Sequence, residues 1–206
     1  MLKTLPMLPP HAPASTSTAP NDPSVEAAFH AAPELMVAQI LAGKLYLHAR
    51  PAIPHGNVAA NLGGLLFTPF KFGRGGPGGW VLIPEPELHL GPGPDKIVPD
   101  MAGWSRARMP RAVGDNPLAH YDLAPDWVCE VLSRSTRRID QGVKMDIYAR
   151  EGVRHVWHID PRRRALDIFL LNEGRWARVN SFSQEEKIRA PPFEALELEL
   201  PLLWSE

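Results

Sequence analysis

The sequence predicts an α/β (α+β) fold, a mixed β-sheet flanked by helices. Three observations lead there. Trp127 to Leu132 is an apolar run of strand length broken only by Glu130; a helix-like segment from Gly142 to Arg150 follows; Arg154 to Asp160 then alternates as a second strand. Strand, helix and strand in that order, with further strands on both sides, call for helices laid against a sheet. A length of 206 residues with 44% hydrophobic content permits one domain with a real core, assigned to 26–206, and leaves little room for a second. The formal net charge of −1 gives no global attraction to nucleic acid or acidic membranes. The charge is uneven, with Arg134, Arg137, Arg138, Lys144, Arg150, Arg154 and Arg162 to Arg164 in the centre and Glu185, Glu186, Glu194, Glu197 and Glu199 near the end.

From the N-terminus, Met1 to about Val25 is rich in Pro, Ala, Ser and Thr and reads as a disordered tail, 1–25, without the apolar run of a secretory signal. No stretch reaches membrane-spanning length, so no membrane partner is expected. Pro33 to Gly43 reads as the end of a short helix, or a helix-to-strand transition closed by a glycine turn, and Lys44 to His48 alternates as a strand. His55 to about Phe70 has Val58, Leu62, Leu65 and Leu66 at helical spacing. Gly73 to Gly79 has the glycines of a phosphate loop but no Gly-Lys-Ser/Thr ending, so it reads as a mobile connecting loop. Trp80 to Ile83 is a strand, Glu85 to Leu90 a short second part, and Pro92-Gly93-Pro94 a turn before Ile97-Val98, a hairpin ending at Asp100. Ala102 to Tyr121 has scattered charges and no clean period, which suggests a surface excursion with Met101, Trp104 and Met109 docked on the body. Past the central helix, Arg162 to Arg164 turns the chain from one strand into another at Ala165 to Leu171. Asn172 to Arg175 turns again into Trp176 to Val179, and Leu196 to Leu203 is a final apolar segment.

The chemistry gathers around Glu130. A strand alternates its faces, so Glu130 projects with Val128 and Leu132, and a carboxylate among apolar neighbours loses hydration worth roughly several kcal/mol unless a cation or donors replace the water. Two positive partners are open from the residues alone, a bound metal ion and Lys144. Asp140, Lys144 and Tyr148 fall at i, i+4 and i+8 of the helix, which puts Lys144 on one stripe with them. Asp100, closing Ile97-Val98-Pro99, meets Glu130 if the two strands pair. The bland readings stand beside these: Asp100 capping a turn, and Glu130 with Lys144 as a buried ion pair that fixes helix to sheet. Cys129 lies on the strand's opposite side with no histidine near it in sequence, and reads as a reduced core residue of a cytoplasmic protein. His55, His155 and His158 lack metal-ligand spacing and read as structural.

These residues also carry a resemblance. Gly43 with its following strand, Arg50-Pro51, His55, Val98-Pro99-Asp100, Glu130 to Ser133 with Ser135-Thr136, Asp140 with Lys144 and Tyr148, and Gly152 to Trp157 with Asp160-Pro161 together resemble the Uma-type family of "putative restriction endonucleases", bacterial proteins of the PD-(D/E)xK nuclease superfamily. The likeness runs from about Val37 to Trp204. It implies a restriction-endonuclease-like fold and a divalent-metal-dependent endonuclease that hydrolyses phosphodiester bonds of nucleic acid, with DNA the expected substrate. Asp100, Glu130 and the Val131 carbonyl would hold Mg²⁺ or Mn²⁺, and Lys144 would be the catalytic lysine. Two departures stand out. The superfamily's lysine two residues after the glutamate is here Leu132, so that role moves to Lys144, and Gln39 stands where relatives often have glutamate. The competing expectation is a catalytically silent interaction module that keeps the fold. Cutting both strands of a duplex would favour a homodimer.

Overall fold

The computed structural model describes residues 22–109, 119–183 and 186–205. Within them, a six-stranded sheet in the order β10-β9-β8-β7-β6-β3 forms the centre. Its strands are β3 (Trp80–Pro84), β6 (Met101–Ser105), β7 (Trp127–Val131), β8 (His155–Asp160), β9 (Ala165–Asn172) and β10 (Arg175–Ser183). β7 and β8 pair parallel, from Trp127 with His155 to Val131 with Ile159, while the other neighbours pair antiparallel. A parallel pair needs a crossover. Here α3 (Arg137–Asp140) and α4 (Val143–Arg150) supply it.

Alternation along β7 decides what each sheet face becomes. Trp127, Cys129 and Val131 enter one core with Trp157, Leu166 and Phe193. The helix α2 (Ile53–Leu66), its π-helical extension Phe67–Lys71 and the terminal 3-10 turn Leu200–Trp204 close that side. Phe193 is its hub, with ring centroids 4.7 to 5.6 Å from Phe70, Trp80, Trp127 and Trp157. Val128, on the opposite face, joins Ala102, Trp104, Ile147, Tyr148 and Val156 under α4. A second sheet, β2-β1-β5-β4, also covers this side; it comprises β1 (Met36–Leu41), β2 (Lys44–Ala49), β4 (Leu88–Leu90) and β5 (Asp95–Ile97). The small ladder of β11 (Lys187–Ile188) with β12 (Leu198–Glu199) completes the strands.

Several expectations change. The helix α1 (Pro23–His30) starts inside the stretch assigned to the tail, where the Asp22 carboxylate accepts from Ser24 N at 2.7 Å, whereas Pro33 to Gly43 follows its second reading, a helix-to-strand transition with β1 at Met36–Leu41 and a glycine turn after it. Asp22 and Pro23 form an N-cap and a first-turn proline, which outweigh the composition of the segment upstream. Residues 1–21 lie outside the described residues. Ala102 to Ser105 is no excursion but part of β6, buried between β3 and β7. Gly103 hides the pattern and fits there closely, because a Cβ would lie 2.8 Å from a Leu82 methyl and 3.1 Å from the Trp127 ring, which would have to shift. The rest of that expectation, 110–118, lies outside the described residues. The chain leaves β3 at Glu85 with φ +44° and crosses to the second sheet, so Leu88–Leu90 is not a continuation of β3. The glycine loop is tied back on the π-helical turn, with Gly78 N donating to the Pro69 carbonyl at 2.9 Å. A two-residue turn, Ala42 (φ 49°) and Gly43 (φ 72°), joins β1 to β2. No described helix is long and apolar enough to cross a membrane.

Candidate active site

The register of β6 on β7 explains how Asp100 reaches Glu130. Ala102 opposes Val128 and Met101 opposes Cys129, so the next step of the ladder faces Asp100 to Glu130 across the strand ends. The ladder itself stops at Met101, because Pro99 has no N–H to continue it. Asp100 takes over with its side chain: its Oδ2 accepts from the Val131 N–H at 2.6 Å. A residue's N–H and C=O leave a strand on the same edge, so the Val131 carbonyl also points toward the end of β6.

Glu130 is 1% exposed. Both its oxygens lie 3.1 Å from Lys144 Nζ, and the Tyr148 hydroxyl donates to Oε1 at 2.6 Å. Lys144 also donates to the Val98 carbonyl at 3.1 Å and pairs with Asp140 at 3.2 Å. The predicted single helical stripe is in fact split, since Gln141 and Gly142 separate α3 from α4, yet the i, i+4 contact survives the break. Gly142 permits the join, where a Cβ would sit 2.7 Å from the Arg138 carbonyl oxygen.

The electrostatics follow from counting charges. Burial pushes the Glu130 carboxyl up to about 8, against the lowering by Lys144, while Asp140 and Asp100 push it further in the same direction as burial. Burial alone would lower Lys144, but Glu130, Asp140 and Asp100 outweigh it and hold the ammonium charged, above its ordinary value. With three carboxylates around one ammonium, the most buried acid is the one that keeps a proton. Burial, then Glu130, raises the Tyr148 hydroxyl, which therefore stays a donor.

Asp100 faces outward from this cluster. It lines an open cleft of about 300 Å³ with Val98, Pro99, Arg50, His48, Glu85 and Glu87. His55, from the first turn of α2, contacts Asp100 Oδ1 through Nε2 at 2.7 Å, and its other ring nitrogen is buried without a hydrogen-bond partner. Gln39 turns from the cleft toward the backbone, accepting from Val98 N at 2.9 Å and meeting His48 Nε2 at 2.9 Å. The structure thus brings Asp100, Glu130, Val131 and Lys144 together, and adds two groups that sequence reasoning left structural or secondary, His55 and Asp140. His158 sits opposite Glu130 in the β7–β8 register, and burial lowers its imidazole to about 4. Cys129 is fully buried on the other face, where burial raises its thiol.

The Uma2 family, described as "putative restriction endonuclease", matches residues 27–202 of the chain. The chain belongs to the Uma2 family. Among solved structures, this Uma2 protein is similar to a putative nuclease belonging to DUF820 from Anabaena variabilis, at 20% identity and a TM-score of 0.69, over 85% of this chain and 94% of that one. At that identity the likeness carries the fold, a nuclease-type mixed α+β architecture. No curated protein matches the Uma2 chain.

Proposed function

We propose that this Uma2 protein is a divalent-metal-dependent endonuclease that hydrolyses phosphodiester bonds of DNA, with Asp100, Glu130 and the Val131 carbonyl as metal ligands and Lys144 as the catalytic lysine. The observation that supports this most is the unbalanced charge at the end of β7, where Asp100, Glu130 and Asp140 surround Lys144 alone. A cluster of this charge suits a divalent cation. The donors are all hard oxygens, which fit Mg²⁺ or Mn²⁺ and not a thiophilic ion. Such an ion supplies a bound water of lowered pKa and a polarised phosphoryl oxygen.

The remaining roles fall to the chain's own groups. Lys144, fixed by Val98 and Glu130, offsets the charge that builds on the phosphate. Tyr148 holds Glu130 in one orientation, and His55 and the Val131 N–H do the same for Asp100. Of the proposed ligands, Asp100 is the one that lines the cleft. We propose a homodimer for double-strand cutting, acting in the cytoplasm, where a lone buried thiol stays reduced.

The test is nicking of supercoiled plasmid in Mg²⁺ or Mn²⁺ by the wild type, Asp100→Ala and Lys144→Met. Cleavage that falls about 10²-fold or more in both variants supports the reading. A folded wild type that leaves DNA uncut with either ion sinks it. The second reading, a silent interaction module, draws on the fact that Glu130 is already satisfied by Lys144 and Tyr148. It expects joint replacement of Glu130 and Lys144 by apolar residues to be tolerated, with no metal response in any form of the protein.

A further inference from the structure

A second set of ligand-type side chains converges away from Glu130, at the start of β4. Glu87 and His89 flank Leu88, so they share one face of the chain while Leu88 is buried on the other. Residues 120–122 return alongside as a parallel neighbour: Leu88 bridges Tyr121, His89 N donates to the Tyr121 carbonyl, and Tyr121 N donates to the Glu87 carbonyl, both at 2.9 Å. Tyr121 packs inward on Trp104, with ring centroids 5.1 Å apart. His120 and Asp122, on either side of it, are thereby turned to the same face as Glu87 and His89.

The backbone register therefore brings three donors together, Glu87, His89 and His120, with Asp122 beside His120. The His89 and His120 rings stack with centroids 3.7 Å apart and planes 9° from parallel. His89 Nε2 lies 2.7 Å from Glu87 Oε1, and His120 Nε2 lies 3.3 Å from Asp122 Oδ1. One donor atom each from Glu87, His89 and His120 lies within 4.8 Å of the others. All three are partly buried, so an ion can enter from solvent and yet lose part of its competing water.

We propose that Glu87, His89 and His120, with Asp122 in reach as a fourth ligand, bind a late first-row transition-metal ion, zinc foremost. Two imidazoles with carboxylates suit Zn²⁺ and disfavour Mg²⁺, so this site differs in kind from the oxygen-only cluster at Asp100. The two histidine–carboxylate contacts each lie within one segment, Glu87 with His89 and His120 with Asp122, so neither joins residues 120–122 to β4. The stacking of the two imidazoles across the segments draws both pairs into one cluster, and one ring turns out of the stack for both nitrogens to face the same ion. Glu87 also lines the cleft that holds Asp100, so an ion here would fix one wall of that cleft.

The experiment uses Co²⁺ as a spectroscopic probe on the full chain, free of any polyhistidine tag, with Zn²⁺ as competitor. Wild type and Asp100→Ala should both bind Co²⁺ with visible ligand-field bands that Zn²⁺ abolishes. His89→Gln and His120→Gln should each weaken binding about tenfold or more while retaining the wild-type near-UV circular dichroism. If one substitution perturbs folding, the other decides. Absence of the bands in folded wild type, or undiminished affinity in the histidine variants, overturns the proposal. Loss of the bands in Asp100→Ala overturns it too, because the ion would then sit at the other cluster.

Discussion

Glu130 concentrates the energetics of the site at the scale of one residue. Its carboxyl is raised to about 8 from an ordinary 4.5, with burial the largest cause. Between those values the folded chain holds a proton that the unfolded chain has released, so this group lowers stability as pH rises through that window. Lys144 is raised, so its contribution is complete throughout the same window and adds no slope. Denaturant titrations at pH 5 and pH 8 should therefore show wild type losing stability relative to Glu130→Gln, by on the order of a few kcal/mol, the opposite slope of the buried His158 being common to both proteins. Lys144→Met should cost about 3–5 kcal/mol because it strands Glu130 and Asp140 without their cation, and adding Glu130→Gln should recover part of the loss. Glu130 and Lys144 were legible in the sequence, the first as a charge in an apolar strand and the second by helical spacing. His55 was not, because its contact with Asp100 spans a sequence separation that no periodicity encodes.

Two joints carry the site at the scale of elements. Gly103 lets β6 lie between Trp80, Leu82 and Trp127, and Gly103→Ala should cost about 1–3 kcal/mol through overpacking, read as a lowered denaturation midpoint. Gly142→Ala meets the Arg138 carbonyl instead and should shift α3 against α4, loosening the Asp140–Lys144 contact. Under the proposed function its expected signature is lost plasmid nicking with a smaller loss of stability; nicking at the wild-type rate would show that the α3–α4 junction does not position Lys144. β7, β8, β9, β10, α2 and α4 followed from period and turn residues. β6 escaped notice because Ala102 and Gly103 carry almost no hydrophobic signal, and their burial depends on the large side chains of neighbouring strands. The strand β1 was only half legible, since Pro33 to Gly43 read equally as the end of a helix or as a helix-to-strand transition, and the hairpin with β2 decides for strand from Met36 onward.

For the whole molecule, the test is linkage. A site that binds Mn²⁺ only when folded raises the melting temperature with ion concentration, and Asp100→Ala should abolish that rise. Equal rises in both proteins would move the ion away from Asp100. From the amino acids alone came the fold class, the Glu130 strand, the crossover helix with Lys144 and the Uma-type likeness, since strand and helix periods and turn residues are local properties of the chain. The tertiary structure alone decided that β6 runs antiparallel beside β7, that His55 joins the cluster, and that Glu87, His89 and His120 meet. These depend on register and on which faces are buried together, and distant segments acquire that relation only when the sheets assemble.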